Sequence, residues 1–152
     1  MTPVFVGIGS NQRLIRRSPA KIVLEAAQLL AQFGRGLQIS PLYRSNAWPD
    51  PTDPPYVNAV AFLETSLSPA AFLSVLHSLE AGYFRVRYTD KERRYAPRTL
   101  DLDLLDHGGT VLDCDNLKLP HPGVAKRDFV LRPLQDIFPT WLHPVTGEDI
   151  QT

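Results

Sequence analysis

Residues 96–105 read Ala-Pro-Arg-Thr-Leu-Asp-Leu-Asp-Leu-Leu, with polar and apolar side chains in alternation. A period of two is typical of a β-strand that has one buried face and one polar face. Residues two apart on a strand project to the same side and lie roughly 6.6 Å apart. The pattern therefore predicts a strand from Leu100 to Leu105 that places Asp101 and Asp103 on one face and the leucines at 100, 102 and 104 in the core.

The paired carboxylates indicate a metal and phosphate site. Magnesium typically takes one or two protein carboxylates together with phosphate oxygens, so Asp101 and Asp103 could hold one or two Mg²⁺ ions. Arg98 stands three residues before the first aspartate and could balance phosphate charge. The alternative is structural, because a half-buried strand with one solvated face shows the same alternation.

The charge around this stretch favours the functional interpretation. Six basic residues stand between positions 85 and 98 against Asp90 and Glu92, in a chain of formal net charge zero. They are Arg85, Arg87, Lys91, Arg93, Arg94 and Arg98. Basic and acidic groups that adjoin in this way suit a complex of metal and polyphosphate better than nucleic acid, whose binders usually carry a broader basic excess.

Length and composition predict one domain. The chain has 152 residues and 43% apolar residues, enough for one substantial core and too few for two typical domains. No apolar run is long enough to span a membrane, and the first residues lack the pattern of a signal peptide. We therefore expect a cytoplasmic protein with no membrane partner. Cys114 is the only cysteine, which excludes an intramolecular disulfide and a cysteine-based zinc cluster.

The periodicity along the chain predicts alternating strands and helices. Helices are expected after the caps Ser18-Pro19 and Ser68-Pro69 and across about Val130–Ile137. Strands are expected at Pro3–Ile8, Leu37–Arg44, Tyr56–Thr65 and Leu100–Leu105, with a turn at Gly108-Gly109 into a further strand at Thr110–Leu112. This order predicts an α+β fold with a ferredoxin-like βαββαβ core, a mainly antiparallel sheet flanked by helices in three αβα layers.

The chain lacks the glycine-rich loops of common nucleotide-binding proteins. It contains no Walker motif, and Gly7-Ile-Gly9-Ser-Asn11 misses the third glycine of a dinucleotide loop. A tight turn is the simpler interpretation of that segment. A bound triphosphate would therefore have to be held mainly by side chains and metal.

Seven motifs in sequence order resemble the 6-hydroxymethyl-7,8-dihydropterin pyrophosphokinase family. They are Gly9-Ser-Asn11, Tyr43-Arg44, Tyr56-Val-Asn58-Ala59, Glu80 followed by Arg85-Val-Arg87, Pro97-Arg-Thr-Leu-Asp-Leu-Asp103, Pro120-His-Pro122 and Arg127-Asp-Phe-Val-Leu-Arg-Pro-Leu134. The Pro-Arg-x-Leu-Asp-Leu-Asp motif is highly specific to this family. The resemblance implies transfer of the β,γ-diphosphate of ATP to a pterin hydroxymethyl group in folate biosynthesis.

The resemblance also implies a role for individual residues. Asp101 and Asp103 would hold two Mg²⁺ ions, and Arg85 and Arg98 would act with them in catalysis. The expected ATP contacts are Glu80 at the ribose end, Arg87, Arg98, Leu104, His121 and Arg127. The expected pterin contacts are Gly9, Ser45, Ala47, Tyr56, Asn58, Tyr95 and Phe129, with Tyr56 and Phe129 stacking on the ring and Asn58 binding its edge.

Several departures from the family pattern leave other functions open. Phe84 stands where a glycine is usual, and Asn116 and Lys118 stand where some members carry arginine and threonine near the phosphates. A paralogue that binds pterin or nucleotide as a regulatory module is therefore an alternative. A nucleotide-sugar transferase that uses the aspartate pair is a more remote one. The resemblance suggests a functional neighbour among folate enzymes.

Overall fold

The structure is a computed structural model that describes residues 1–47, 49–83 and 97–150. The strands are β1 Thr2–Ser10, β2 Arg35–Ile39, β3 Tyr43–Ser45, β4 Tyr56–Thr65, β5 Asp101–His107, β6 Leu112–Asp113 and β7 Lys118–Leu119. The α-helices are α1 Pro19–Leu29, α2 Pro69–Gly82 and α3 Asp128–Ile137, and a 3₁₀ turn, Leu30–Phe33, extends α1. None of the described helices is long and apolar enough to cross a membrane.

The main sheet has the strand order β2-β4-β1-β5, and every pair in it is antiparallel. β3 also pairs with β4. This order, with α1 between β1 and β2 and α2 between β4 and β5, confirms the predicted ferredoxin-like core. The helix starts are confirmed as well, because Ser18 and Ser68 accept hydrogen bonds from the backbone N–H groups of Lys21 and Ala71.

The two faces of the sheet are buried under different helices. One face packs against α1 and α2 through Ile22, Val23, Phe72 and Leu76, which lie in a cluster with Leu102 and Leu104 of β5. The other face packs against α3 and the segment after it, where Val130, Leu134 and Trp141 contact Phe5, Val60 and Leu105. The sheet is thus the middle of the three predicted layers.

Two strand predictions need correction. The expected strand Leu37–Arg44 is divided into β2 and β3, because Pro41 has no N–H to donate to β4 and the stretch between the two strands holds one residue more than its partner. The turn at Gly108-Gly109 is present, but the strand expected at Thr110–Leu112 is the shorter β6, Leu112–Asp113, which pairs with β7 in a separate two-stranded sheet.

The segment after α3 is held by a buried polar contact. Trp141 Nε1 donates to Asp106 Oδ2 at 2.8 Å, and the N–H of Gly109 donates to the other oxygen at 2.9 Å. Trp141→Phe removes one donor from a buried carboxylate, so we expect the free energy of unfolding to fall by about 1–3 kcal/mol. Urea denaturation tests this, with the exposed Val145→Ala as a control. A loss below roughly 0.5 kcal/mol would show that the contact contributes little.

Candidate active site

The strand register brings the predicted site residues into rows across the sheet. Asp101 lies opposite Gly9 on β1, and Gly9 lies opposite Asn58 on β4. Directly opposed residues of antiparallel strands share a face. Asp103 lies opposite Gly7 in the next row. The two carboxylates therefore stand on the face that α3 covers, while Leu102 and Leu104 point to the opposite face, as the sequence predicts.

The glycines of β1 leave space on this face. A Cβ atom at Gly9 would stand 3.2 Å from Asn58 Oδ1, which is tighter than most such contacts, and 3.4 Å from the Tyr56 ring, which is ordinary van der Waals contact. The Asn58 amide is oriented from its other side, because its Nδ2 donates to Ser45 Oγ at 2.8 Å. The absence of a side chain at Gly9 thus keeps Asn58 and Tyr56 close to β1.

A cavity of about 630 Å³ opens above these residues. Its walls come from four strands and α3, and they combine aromatic, amide and charged groups. The lining includes Gly9, Ser45, Asn46, Tyr56, Asn58, Arg98, Asp101, Asp103, Arg127 and Phe129. Such a mixture of aromatic faces and a few polar groups is typical of sites for small heteroaromatic ligands. We call this the first cavity.

The start of α3 forms one wall of the first cavity. Val130 and Leu134 anchor the helix in the core beneath it, and the Tyr43 hydroxyl donates to the Asp136 carboxylate near the other end of the helix. That hydrogen bond raises the pKa of Tyr43 above its usual value. The Arg127 guanidinium lies 5.7 Å from the centre of the Phe129 ring. The helix thus carries an aromatic side chain and a cation to the cavity.

A second cavity of about 310 Å³ lies on the other side of the aspartates. Charged groups of both signs and other polar side chains make up much of its lining, which includes His77, Arg98, Asp101, Asp103, Leu104, Asp115, Asn116, Lys118 and His121. Arg98, Asp101 and Asp103 line both cavities. Arg98 Nη1 lies 3.3 Å from Asp101 Oδ2. The two cavities therefore share a charged boundary.

His121 is fixed at this boundary in a defined tautomer. Its Nδ1 accepts a hydrogen bond from the N–H of Gly123 at 3.0 Å, and its Nε2 lies 3.7 Å from Asp103 Oδ1. Burial and the positive charge of Arg127 lower the pKa of His121, although Asp101 acts in the opposite direction. The neutral ring thus presents an Nε2–H donor to the shared boundary.

This lowered pKa makes a prediction about stability. The unfolded chain binds a proton at His121 more readily than the folded protein does, so stability should fall as the pH drops below about 6.5. Urea denaturation in EDTA from pH 8 to pH 5 should therefore show that the stability advantage of wild type over His121→Gln shrinks with decreasing pH. An advantage independent of pH would contradict the prediction.

Most of the predicted site residues lie at the two cavities, but two lie elsewhere. The side chain of Glu80, for which the resemblance implies a ribose contact, is 1% exposed, and its Oε2 accepts a hydrogen bond from the N–H of Leu102 at 3.0 Å. The ribose contact stays a prediction. Ala47 is buried and its neighbour Asn46 lines the first cavity instead. Arg85, Arg87, Tyr95 and Phe84 lie outside the described residues.

The second cavity also contains a residue that the sequence does not single out. His77 on α2 lines it together with Lys118 on β7, which stands at a position that the resemblance places near the phosphates. His77 carries no local signal of binding, because a polar residue on an exposed helix face is ordinary. Only the fold brings it to the cavity that the aspartates line.

The chain matches the family described as 7,8-dihydro-6-hydroxymethylpterin-pyrophosphokinase over residues 5–139. A 2-amino-4-hydroxy-6-hydroxymethyldihydropteridine pyrophosphokinase of Pseudomonas aeruginosa is 40% identical to it over 136 residues, which is 90% of this chain and 80% of that protein. A protein of the same name from Synechocystis sp. is 40% identical over 148 residues, covering 95% and 71%.

Other similar proteins are much longer than this chain. The folic acid synthesis protein fol1 of Pneumocystis carinii is 36% identical, and the match covers 97% of this chain but 19% of that protein. A crystal structure of Plasmodium falciparum HPPK-DHPS with pterin and p-hydroxybenzoate has the same fold, with a TM-score of 0.70 at 15% identity over 99% of this chain and 42% of that one. The match to the family and the identity to its bacterial members confirm the resemblance, and the chain belongs to the 7,8-dihydro-6-hydroxymethylpterin-pyrophosphokinase family, a family of diphosphotransferases.

Proposed function

We propose that the protein transfers the β,γ-diphosphate of ATP to the hydroxymethyl group of 6-hydroxymethyl-7,8-dihydropterin, giving AMP and the pterin diphosphate. The observation that supports this most is the pair of cavities that meet at Arg98, Asp101 and Asp103. A reaction that joins a flat heteroaromatic alcohol to a polyphosphate needs two such pockets with a charged boundary between them. Family membership supports the choice of substrates.

The first cavity is the proposed pterin site. Tyr56 and Phe129 supply aromatic faces for the bicyclic ring, and the Asn58 amide can donate to and accept from the ring edge. Ser45 and Gly9 complete the wall beside Asn58. The hydroxymethyl group of a pterin bound in this way would point toward the aspartates.

The second cavity is the proposed ATP site. Arg98 would balance the phosphate charge, His121 would donate from Nε2 to a phosphate oxygen, and Leu104 would contact the adenine. Lys118 and His77 supply further polar groups in this cavity. Arg127 reaches the phosphates from the side of the first cavity in this proposal. We retain Arg85 and Arg87 as phosphate ligands on the family resemblance alone.

The aspartate pair fits the metal that the family resemblance implies. Asp101 and Asp103 stand on one face of β5 and remain partly exposed to both cavities. No group of three or more His, Cys, Asp or Glu side chains suited to a metal occurs in the described parts of the chain. A carboxylate pair that leaves other positions to phosphate oxygens suits Mg²⁺ better than a metal that needs an all-protein site. Two bound Mg²⁺ ions would neutralise charge on the transferred group and on the two oxygens it moves between.

The protein itself contributes position and charge. The pterin hydroxyl oxygen forms a bond to the β-phosphorus of ATP and releases its proton to solvent, the bond from that phosphorus to the oxygen it shares with the α-phosphate breaks, and AMP leaves with that oxygen. Walls on both sides of the boundary hold the two reactants in line, and Arg98 and the His121 N–H stabilise the charge that develops on the phosphate oxygens.

Turnover assays with metal removal test this proposal. With ATP, Mg²⁺ and 6-hydroxymethyl-7,8-dihydropterin, AMP should form only when the pterin is present, and EDTA should stop the reaction until Mg²⁺ is restored. ADP formation would indicate a different kinase. Binding of pterin and nucleotide without any AMP would favour the regulatory module, and turnover of a sugar nucleotide would favour the nucleotide-sugar transferase.

The proposed partner is another enzyme of folate synthesis. Solved structures with this fold carry the name HPPK-DHPS and are more than twice as long as the part that this chain covers. We propose that such an enzyme receives the pterin diphosphate made here.

A further inference from the structure

Asn11 is a buried polar residue whose role the proposed mechanism does not include. It follows β1 directly and is 3% exposed. Its backbone and its side chain form hydrogen bonds with two residues far from it in the chain, Arg98 and Pro54. Every one of these contacts is a hydrogen bond of ordinary length.

The first contact fixes the backbone of Arg98. The N–H of Asn11 donates to the Arg98 carbonyl at 3.0 Å, and the N–H of Arg98 donates to Asn11 Oδ1 at 2.7 Å. Both backbone polar groups of Arg98 are therefore held by one residue. Because Arg98 lines both cavities, its backbone position decides where its guanidinium lies relative to Asp101 and Asp103.

The second contact fixes the loop before β4. Asn11 Nδ2 donates to the Pro54 carbonyl at 3.0 Å. Pro54 stands two residues before Tyr56, the first residue of β4 and a wall of the first cavity. A hydrogen bond at this point limits how far the loop can move away from β1.

The side-chain amide of Asn11 thus holds the backbone of Arg98 and the loop before Tyr56 at once. A carboxamide accepts through one atom and donates through another at this spacing, whereas a carboxylate only accepts and a hydroxyl is shorter. We propose that Asn11 is a positioning residue. It fixes the position of Arg98 relative to Tyr56 in the first cavity, so that the phosphate and the pterin hydroxyl meet in line. This inference rests on the proposed diphosphate transfer.

A double-mutant cycle separates this role from a merely structural one. Asn11→Ala should lower kcat about tenfold in the wild-type background but less than about twofold in the Arg98→Ala background, because its effect passes through Arg98. Equal losses in the two backgrounds would overturn the inference. If Asn11→Ala is unfolded at the assay temperature, Asn11→Ser takes its place in the cycle with the same expectation.

The conservative variant separates the two contacts. Asn11→Asp can still accept from the N–H of Arg98 but cannot donate to Pro54. Its kcat should exceed that of Asn11→Ala by about fivefold, while both variants should raise the KM for the pterin about threefold or more. Equal kcat values would overturn the Arg98 role, and unchanged pterin KM values would overturn the Pro54 role. Gln12→Ala, at the neighbouring exposed position, is the control and should leave both constants within about twofold of wild type.

The cycle also distinguishes this inference from the proposed function. If wild type makes no AMP from ATP and the pterin, the proposed transfer itself is wrong. If wild type is active and the effects of Asn11→Ala and Arg98→Ala are simply additive, the transfer stands and the positioning role does not.

Discussion

Replacing Asp103 by Asn is expected to lower kcat about a thousandfold, and the free energy of unfolding should change by less than roughly 1 kcal/mol. The side chain is 37% exposed and lies between the two cavities, so an amide of the same size leaves no void in the core. The amide lacks the negative charge that a magnesium site needs. Steady-state kinetics and urea denaturation measure the two quantities.

A matched variant shows whether the position of the charge matters. Glu148 is exposed and lies outside both cavities. Glu148→Gln also removes one carboxylate charge and should leave kcat within about threefold of wild type. Activity of Asp103→Asn within about tenfold of wild type would contradict the assigned role of the aspartate pair.

Replacing Phe129 by Ala is expected to raise the KM for the pterin about tenfold or more, with a smaller effect on the KM for ATP. Aromatic stacking contributes about 0.5–1.5 kcal/mol beyond the burial of area, and each 1.4 kcal/mol is a factor of ten in affinity. Phe129→Leu keeps an apolar side chain but loses the ring face, so its KM should fall between those of wild type and Phe129→Ala.

The control for this prediction is another phenylalanine near α3. Phe138 packs on Phe5 and Phe62, with ring centres 5.3 and 6.0 Å away, and it lines neither cavity. Phe138→Ala should lower stability without changing the KM for the pterin. Equal KM values for Phe129→Ala and wild type would show that the first cavity is not where the pterin binds.

Local signals predict much of this fold because their physical causes are local. Each serine-proline pair starts a helix where the serine oxygen caps a backbone N–H. The division of the strand around Pro41 is harder to predict, because it depends on hydrogen bonds to β4. The N–H of Ser40 donates to the Val60 carbonyl, and Ser40 Oγ accepts from the N–H of Val60. These bonds continue the pairing up to the proline, which cannot take part.

The aspartate pair of the site is predictable for a similar reason. Its alternation with leucine places both carboxylates on one strand face wherever the strand lies. The place of His77 in the second cavity is not predictable in this way, because the packing of α2 against β5 decides it. The buried position of Glu80 escapes prediction because a carboxylate near a helix end is usually exposed. Here the buried N–H of Leu102 gives it a partner.

The most direct test of the central claim is ³¹P NMR of a reaction mixture that contains the protein, ATP, Mg²⁺ and 6-hydroxymethyl-7,8-dihydropterin. The account predicts that AMP and a diphosphate ester of the pterin appear in equal amounts, with no ADP, because the β,γ-diphosphate moves as one unit across the aspartate pair. ADP together with a pterin monophosphate would contradict the account.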